Sequence, residues 1–447
     1  MILQINQKEI LLQFNSVIID LKTKNSIVCP TKDVMISPSN SLTFFRGQTF
    51  FSSAFTVKND RGVFLLELDT HYERLLTSYD VMFSRYDFPF TFNEFKSYVQ
   101  DAIDANKTED ETMHCIIYLV AGKPNVLTYD DDNYSNGFGG YLDKLVILLN
   151  PYKKKPDWCY EDGLNLFSAV YQRPIAASKP VNYIHGALMQ QTLDGLNTFA
   201  CLENKFESTE KVKESLLNVF KFYEKLSIHE QKECLSFFNT LLYNYRNLDT
   251  SNITELMTNL NPKIKIKLPW LSQINTANLK DIYKDFFPDL FHEVMFTGSG
   301  SNPYILEGST FSFMGINKKN QCVFNPLTGN SIDYDDTNSG TILNSTTISL
   351  LKRVADKYGI QYLEKPFKLN DVLSFKAFYC ISTTRIKFEN NTYHLQPCRS
   401  INTTSLNYSQ TDSYLKLMKG LHDYILNYSY DFNPSKKEFP YTLTQVN

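Results

Sequence analysis

Short apolar runs alternate with helical patterns over most of this chain, and that alternation constrains its fold more than any other feature. "HCIIYLVAG" (114–122) and "KLVILLN" (144–150) have the composition of strands, and "GVFLLEL" (62–68) is predicted as another. "DTHYERLLTSYDVM" (69–82) has the apolar spacing of a helix. Because 447 residues are too many for one ordinary core, the pattern predicts an α+β protein of two domains.

Changes in composition divide the chain. "NPYKKKPDW" (150–158) contains two prolines and three lysines, which is typical of a connection between domains. We therefore predict an N-terminal α/β domain over 1–150, a linker over 151–157 and a C-terminal domain over 158–447.

Residues 199–288 have a different character from the rest of the second domain. They show only amphipathic helical patterns, and Ser227 and Glu230 have the spacing of a capping box. We predict that this block is an all-helical insertion. It could cover the mouth of an active site, extend a dimer interface or bind a partner protein.

Composition excludes several classes of protein. The formal net charge is -3, and no basic cluster with interleaved aromatic residues occurs, which predicts no nucleic-acid partner. No apolar run is long enough to span a membrane and no signal-peptide pattern opens the chain, so we expect a cytoplasmic protein. The eight cysteines form no CxxC pair and the histidines form no HExxH motif, which predicts reduced thiols and no metal site. "TGSGSNP" (297–303) lacks the ending of a phosphate loop and is predicted as a hairpin turn.

Several separated segments together match one family pattern, and their order carries the match. They are "RGQTFFSSAFTV" (46–57), "HYERLLTSYDVM" (71–82), "KPVNY" (179–183), "LEGST" (306–310), "LNSTTISLLKRVADKYGI" (343–360) and "ISTTRI" (381–386). The chain resembles the class IV aminotransferases, the fold-type IV enzymes that use pyridoxal 5'-phosphate (PLP). That family includes branched-chain and D-amino-acid aminotransferases and aminodeoxychorismate lyase. The resemblance covers nearly all of the chain outside the insertion, and it implies the two-domain fold of the D-amino-acid aminotransferase type.

The resemblance assigns a reactive amine and a carboxylate. Lys179 takes the place of the family's lysine, which forms a Schiff base with PLP and then moves a proton at the substrate. Glu307 takes the place of the glutamate that faces the pyridine nitrogen, although a surface glutamate before a turn is the alternative. Tyr183 could donate a hydrogen bond to the ring oxygen of PLP or could be buried as packing. Lys179 and Glu307 are 128 positions apart, and looping out of the insertion would let them meet at one cofactor.

The resemblance also assigns contacts to the phosphate group. Arg74 takes the place of the family's phosphate-binding arginine, and its alternative is a solvated helix residue. Four hydroxyl residues take the places of the remaining phosphate contacts, namely Ser345, Thr346, Ser382 and Thr383. Ser345 and Thr346 open a predicted helix, where free N–H groups favour an anion, and a capping role is compatible with that one.

The substrate side departs from the family pattern. Phe51 takes the place of the pocket aromatic, but Ser52 and Ser53 follow it where the family often has Glu-Thr. Arg46 and Arg173 are weak candidates for a substrate carboxylate. The resemblance thus implies a homodimeric aminotransferase that moves an amino group between an amino acid and a 2-keto acid, these being its small-molecule partners. A PLP-dependent lyase of the aminodeoxychorismate type and a catalytically degenerate scaffold are the alternatives.

Overall fold

Two β-sheets form the body of the protein. The structure, a computed structural model, describes residues 15–21, 23–30, 49–82, 88–106, 112–120, 144–152, 154–171, 178–181, 290–326, 342–389, 392–402 and 404–430, with scattered positions between 186 and 262. The insertion predicted over 199–288 therefore lies almost wholly outside the described residues. At two of the scattered positions, Ser227 Oγ accepts a hydrogen bond from the N–H of Glu230, and the Glu230 carboxylate accepts one from the N–H of Ser227. The capping box predicted there is confirmed.

The first sheet is antiparallel throughout. Its strands, in order across the sheet, are β2 (Ser26–Pro30), β1 (Asn15–Asp20), β6 (Lys144–Pro151), β5 (Met113–Val120), β3 (Thr49–Asn59) and β4 (Gly62–Leu65). Two helices, α1 (Leu68–Met82) and α2 (Phe92–Asp104), follow β4 along the chain. Residues of β5 alternate between buried and half-buried, so one face of this strand packs in the core and the other is left for a cavity.

The second sheet is mixed. Its main strands, in order, are β12 (Tyr362–Glu364), β11 (Cys322–Phe324), β10 (Ser312–Ile316), β13 (Ala377–Ile381), β15 (Thr392–Ile401), β7 (Leu164–Val170), β8 (Glu293–Thr297) and β9 (Ile305–Gly308). The strands β14 (Ile386–Glu389) and β16 (Thr404–Ser405) also pair with β15, and the helices of this part are α3 (Trp158–Glu161), α4 (Thr346–Lys357), α5 (Leu369–Leu373) and α6 (Asp412–Leu426). β7 and β8 are parallel neighbours, and the predicted insertion lies between them in the sequence. The boundaries predicted for the two domains stay a prediction.

Strand β3 belongs to the cores of both sheets. Phe50 and Ala54 are buried in the core of the first sheet. Phe55 and Val57, further along the strand, are buried with residues of α4 and α6. One continuous strand thus fixes the first sheet against the helices that cover the second. Asn59 at the end of β3 donates to the carbonyls of Ile425 and Tyr428, so the end of β3 lies beside the end of α6.

Local predictions agree with the structure except at the end of β4. The hairpin predicted over 297–303 is confirmed, because β8 and β9 pair antiparallel and Gly298 N donates to the carbonyl of Tyr304 at 2.9 Å. The strand predicted over 62–68 ends at Leu65. Glu67 has a left-handed backbone with a φ of 57°, and a residue in that conformation ends a strand. The helix predicted over 69–82 begins at Leu68.

The Glu67 carboxylate is almost fully buried at this turn. Its side chain is 2% exposed, contacts Arg353 at 2.8 Å and accepts a hydrogen bond from the hydroxyl of Tyr424 at 2.8 Å. Burial raises the pKa of Glu67 to about 7, against the opposing effect of the Arg353 charge. The folded chain therefore binds this proton more tightly than the unfolded chain does.

The raised pKa of Glu67 predicts a specific dependence of stability on pH. Between about pH 4.5 and pH 7 the folded state binds more protons at Glu67 than the unfolded state, so the free energy of unfolding falls as the pH rises. Glu67→Gln removes this group, and the difference between the native chain and the variant should change by about 3 kcal/mol across the window. Urea unfolding at several pH values measures it.

Glu94→Gln is the matched control. Hydrogen bonds from the backbone of Thr91 and from Lys24 lower the pKa of Glu94, so its contribution should be lost as the pH falls, the opposite sign. A Glu67→Gln difference that stays constant from about pH 4.5 to about pH 8 would contradict the buried, raised carboxyl.

Candidate functional site

A cavity of about 300 Å³ brings the predicted site residues together. Eight predicted residues line it, namely Phe51, Arg74, Lys179, Glu307, Ser345, Thr346, Ser382 and Thr383. They come from β3, α1 and the segment before Pro180, and from β9, the start of α4 and the end of β13. The other three predicted residues, Tyr183, Arg46 and Arg173, lie outside the described residues.

Backbone pairing fixes the position of Lys179. Phe51 N donates to the carbonyl of Lys179 at 3.0 Å, and Val181 N donates to the carbonyl of Thr49 at 2.9 Å. Lys179 N also donates to Ser78 Oγ on α1 at 3.1 Å. Strand β4 pairs only with the last residues of β3. The same edge at the first residues of β3 therefore pairs with the segment that contains Lys179. The Lys179 amine lies 4.6 Å from the centre of the Phe51 ring.

Arg74 and the start of α4 form the positive end of the cavity. Arg74 Nη2 donates to the carbonyl of Asn344 at 2.5 Å. Ser345, the next residue, is the N-cap of α4, and its Oγ accepts from Ile348 N at 3.3 Å. Its own hydroxyl hydrogen can still point to a ligand. A guanidinium beside a helix N-terminus is suited to bind a dianion such as a phosphate.

The end of β13 faces the same region. Ser382 has extended backbone (φ −162°), and Thr383 begins a single 3₁₀ turn that runs to Arg385. Thr383 Oγ1 donates to the carbonyl of Ser53 at 3.3 Å. This contact joins the second sheet to β3, and it holds two further hydroxyl groups beside the cavity.

Glu307 lies on β9 and is 5% exposed. Its carboxylate gives the cavity an acceptor for an N–H or a cationic group of a ligand. Gly308 follows it, and a Cβ there would lie 2.2 Å from Cζ of Phe311. The Phe311 ring, which also lines the cavity, packs against Arg385 as well, whose guanidinium carbon is 4.2 Å from the ring centre. Glycine is therefore required sterically at position 308.

Two neutral histidines support the site from the side of β3. His71 on α1 shares a hydrogen bond of 2.7 Å with Ser52 Oγ, and burial, helped by the charges of Arg74 and Lys179, holds the pKa of His71 well below its usual value. His114 on β5 shares one of 2.7 Å with Ser53 Oγ, and burial followed by the Lys179 charge lowers its pKa. Both rings are uncharged at neutral pH, so they supply hydrogen bonds without adding positive charge.

Strand β5 provides a part of the cavity that was not predicted from the sequence. His114, Ile116 and Tyr118 line it, and they alternate with buried core residues along the strand. The period-two pattern "HCIIYLV" could have placed these three side chains on one face. That face could be recognised as a cavity wall only once the second sheet was known to lie opposite.

Comparisons with solved structures bear on the fold. The T.th. branched-chain amino acid aminotransferase complexed with N-(5'-phosphopyridoxyl)-L-glutamate matches at 10% identity and a TM-score of 0.51, covering 93% of this chain and 94% of that chain. The same enzyme with pyridoxamine 5'-phosphate matches equally, at 10% identity and 0.51 over 93% and 94%. The chain has the class IV aminotransferase fold. A branched-chain aminotransferase from Thermoproteus uzoniensis with norvaline matches at 12% identity and 0.49, over 92% and 95%.

Comparisons by sequence add no relative to these structural matches. No family model matches the sequence, and a search of curated proteins finds no match. Among the described residues, no group of three or more His, Cys, Asp or Glu side chains could hold a metal ion. Within the same ranges, no helix has the length and apolar character needed to cross a membrane.

The contact of Gly308 with Phe311 predicts the effect of a single methyl group. Gly308→Ala should lower the free energy of unfolding by about 2–3 kcal/mol, because the Phe311 ring also contacts Arg385 and has little room to move aside. Urea unfolding measures this cost. Combining it with Phe311→Leu should recover part of the loss, since the smaller side chain removes the clash. Additive costs of the two substitutions would contradict the contact.

Proposed function

We propose that this protein is a PLP-dependent aminotransferase that moves an amino group between an amino acid and a 2-keto acid. The observation that carries the proposal is the shared cavity of Lys179, Glu307 and Arg74, residues far apart in sequence. The fold supports it, since the solved structures that it resembles at a TM-score of 0.51 include complexes with pyridoxamine 5'-phosphate.

The donor set of the cavity fits PLP. Arg74 and the residues at the start of α4 and the end of β13 would hold the phosphate, because they offer a guanidinium, hydroxyl groups and helix N–H groups. Glu307 would accept a hydrogen bond from the protonated pyridine nitrogen, a role suited to its buried carboxylate. Lys179 would supply the amine for covalent attachment. When bound, PLP withdraws electrons from the substrate carbon that carries the amino group.

The residues of the chain then provide positioning and proton transfer. Lys179 would act as the positioned general base that takes the proton from the substrate carbon and as the general acid that then gives it back. Phe51 and Tyr118 line the cavity, with ring centres 6.0 Å apart, and would exclude water from the reacting atoms. His114 would face the substrate as a neutral hydrogen-bonding group.

The expected oligomeric state, location and small-molecule partners are part of the same proposal. We infer a homodimer and a cytoplasmic location, with an amino acid and a keto acid as the small-molecule partners. Neutral hydrogen-bonding groups line the substrate side from β5, and the weak candidates Arg46 and Arg173 stay predictions.

Reductive trapping tests the attachment residue. Treatment of the native chain with PLP and borohydride should leave a phosphopyridoxyl group on the peptide that contains Lys179, detected by mass spectrometry. Lys179→Ala should lose this adduct, whereas Lys319→Ala, which changes an exposed lysine in a turn, should keep it. A native chain with no adduct, or with adducts spread over surface lysines, would favour a scaffold without catalysis.

Spectroscopy of the half reaction tests the reaction class. Incubation of the PLP-loaded native chain with candidate amino acids, starting with branched-chain ones, should convert the cofactor to its pyridoxamine form and release one equivalent of keto acid. Activity should fall by at least about 10³-fold in Lys179→Ala, because the general base is lost. Pyruvate release without accumulation of the pyridoxamine form would instead indicate a lyase.

A further inference from the structure

The anion-binding donors of the cavity come from two helices that could move independently. Arg74 lies on α1, and Ser345 with Thr346 opens α4. The direct link described between these donors is the hydrogen bond from Arg74 to the Asn344 carbonyl. A long arginine side chain can keep such a bond over a range of helix positions, so this contact alone does not set the spacing of the donors.

Arg353 provides a second link between the same two helices. It lies on α4, about two turns after Ser345. Its Nη1 and Nη2 donate to the two carboxylate oxygens of Asp69 at 3.0 and 2.7 Å. Nη1 also lies 2.8 Å from Oε2 of Glu67. The planar fork therefore holds two carboxylates at the start of α1, and a bidentate pair of this kind fixes direction as well as distance.

The two links oppose rotation of α1 against α4. The start of α1 binds the later half of α4 through Arg353, and the middle of α1 binds the start of α4 through Arg74. The two links lie at different places along both helices, since they join residues 67–69 to residue 353 and residue 74 to residue 344. Two separated contacts restrict both sliding and tilting, which a single contact cannot do.

The last turn of α6 and the segment just after it hold the same turn from a third direction. The Tyr424 hydroxyl donates to Oε1 of Glu67, and Leu68 N donates to the Tyr428 hydroxyl at 3.3 Å. The left-handed backbone at Glu67 is thereby kept in place from α4 and from α6. The carboxylate of Glu67 is thus held at one position, where Arg353 contacts it.

We propose that Arg353 is a positioning residue for the anion end of the cavity, where its contacts with Glu67 and Asp69 set the distance between Arg74 and the N-terminus of α4. The inference rests on the proposed function, because it takes these donors to hold the phosphate of PLP. Arg353 itself does not line the cavity, so it would act through the helices that carry these donors. Its loss should weaken recognition of the phosphate and leave the attachment amine unaffected.

Comparing the binding of PLP with that of pyridoxal isolates the contribution of the phosphate group to affinity. Pyridoxal keeps the aldehyde and the ring but lacks the phosphate group, so the ratio of the two dissociation constants reports on the anion donors alone. Both constants are obtained by absorbance titration of the full-length chain. Arg353→Met should reduce the preference for PLP by about tenfold, with the affinity for pyridoxal changed by less than about twofold. Inorganic phosphate should also compete with PLP less well in the variant.

Lys352→Met is the matched control. Lys352 neighbours Arg353 on the same helix, carries the same charge and contacts Glu364 at 2.5 Å, away from α1. This variant should keep the native preference for PLP over pyridoxal. That result would show that loss of a charge or of an ion pair on α4 is not enough to change the preference. Arg353→Lys keeps the charge without the fork and should give an intermediate preference. Asp69→Asn should act in the same direction, and it serves as the test if Arg353→Met does not fold.

The outcomes separate the two proposals. A native preference for PLP that persists in both Arg353→Met and Asp69→Asn would overturn the positioning role and leave the proposed function intact. Equal weakening of PLP and pyridoxal would also overturn it, since that result indicates a general loss of structure. A native chain with no preference for PLP over pyridoxal would overturn the proposed function and this inference together.

Discussion

The hydrogen bonds between residues 179–181 and the first residues of β3 are the contact on which the site depends. They place the backbone of Lys179 on a strand edge, where pairing on both sides of the residue leaves it little freedom. Strand β3 continues from this edge into the cores of both sheets. A side chain whose backbone is paired to such a strand is held more closely than one on an unpaired loop. Phe51 and Ser53 are two residues apart on β3 and point to the same face, so this one strand positions both of them and, through its edge, Lys179.

Charge in the cavity is concentrated at one end. Arg74 and the N-terminus of α4 supply positive potential there, while Glu307 supplies a carboxylate. His71 and His114 lie close to Lys179 and would add positive charge if they were protonated, but burial and the neighbouring cations lower the pKa of both. The two buried, neutral imidazoles therefore supply hydrogen bonds without adding charge. The positive potential at the anion end comes from the Arg74 guanidinium and the N-terminus of α4. A dianionic group would find its charge compensated at that end.

Local patterns in the sequence predicted more than long-range ones. The capping box at Ser227 and Glu230 and the hairpin over 297–303 depend on neighbouring residues only, and both agree with the structure. The predicted end of strand β4 disagrees with the structure. The turn at Glu67 depends on contacts with Arg353 and Tyr424, which lie far along the chain. The apolar residues Leu66 and Leu68 continue a strand pattern, and nothing local marks the left-handed turn between them. The cavity wall on β5 was missed for a related reason, since the sheet opposite it is formed by distant segments.

The two serines that replace the family's Glu-Thr pair show how a departure from a pattern can be accommodated. Consecutive residues of a strand point to opposite faces, so Ser52 and Ser53 cannot share one task. Ser52 turns inward to the buried ring of His71 and anchors α1, one turn before Arg74. Ser53 turns toward the cavity, where it contacts His114 of the same sheet, and its contact with Thr383 joins the two sheets. Ser53 therefore contributes to the cavity wall beside β5, while Ser52 holds the helix that carries Arg74.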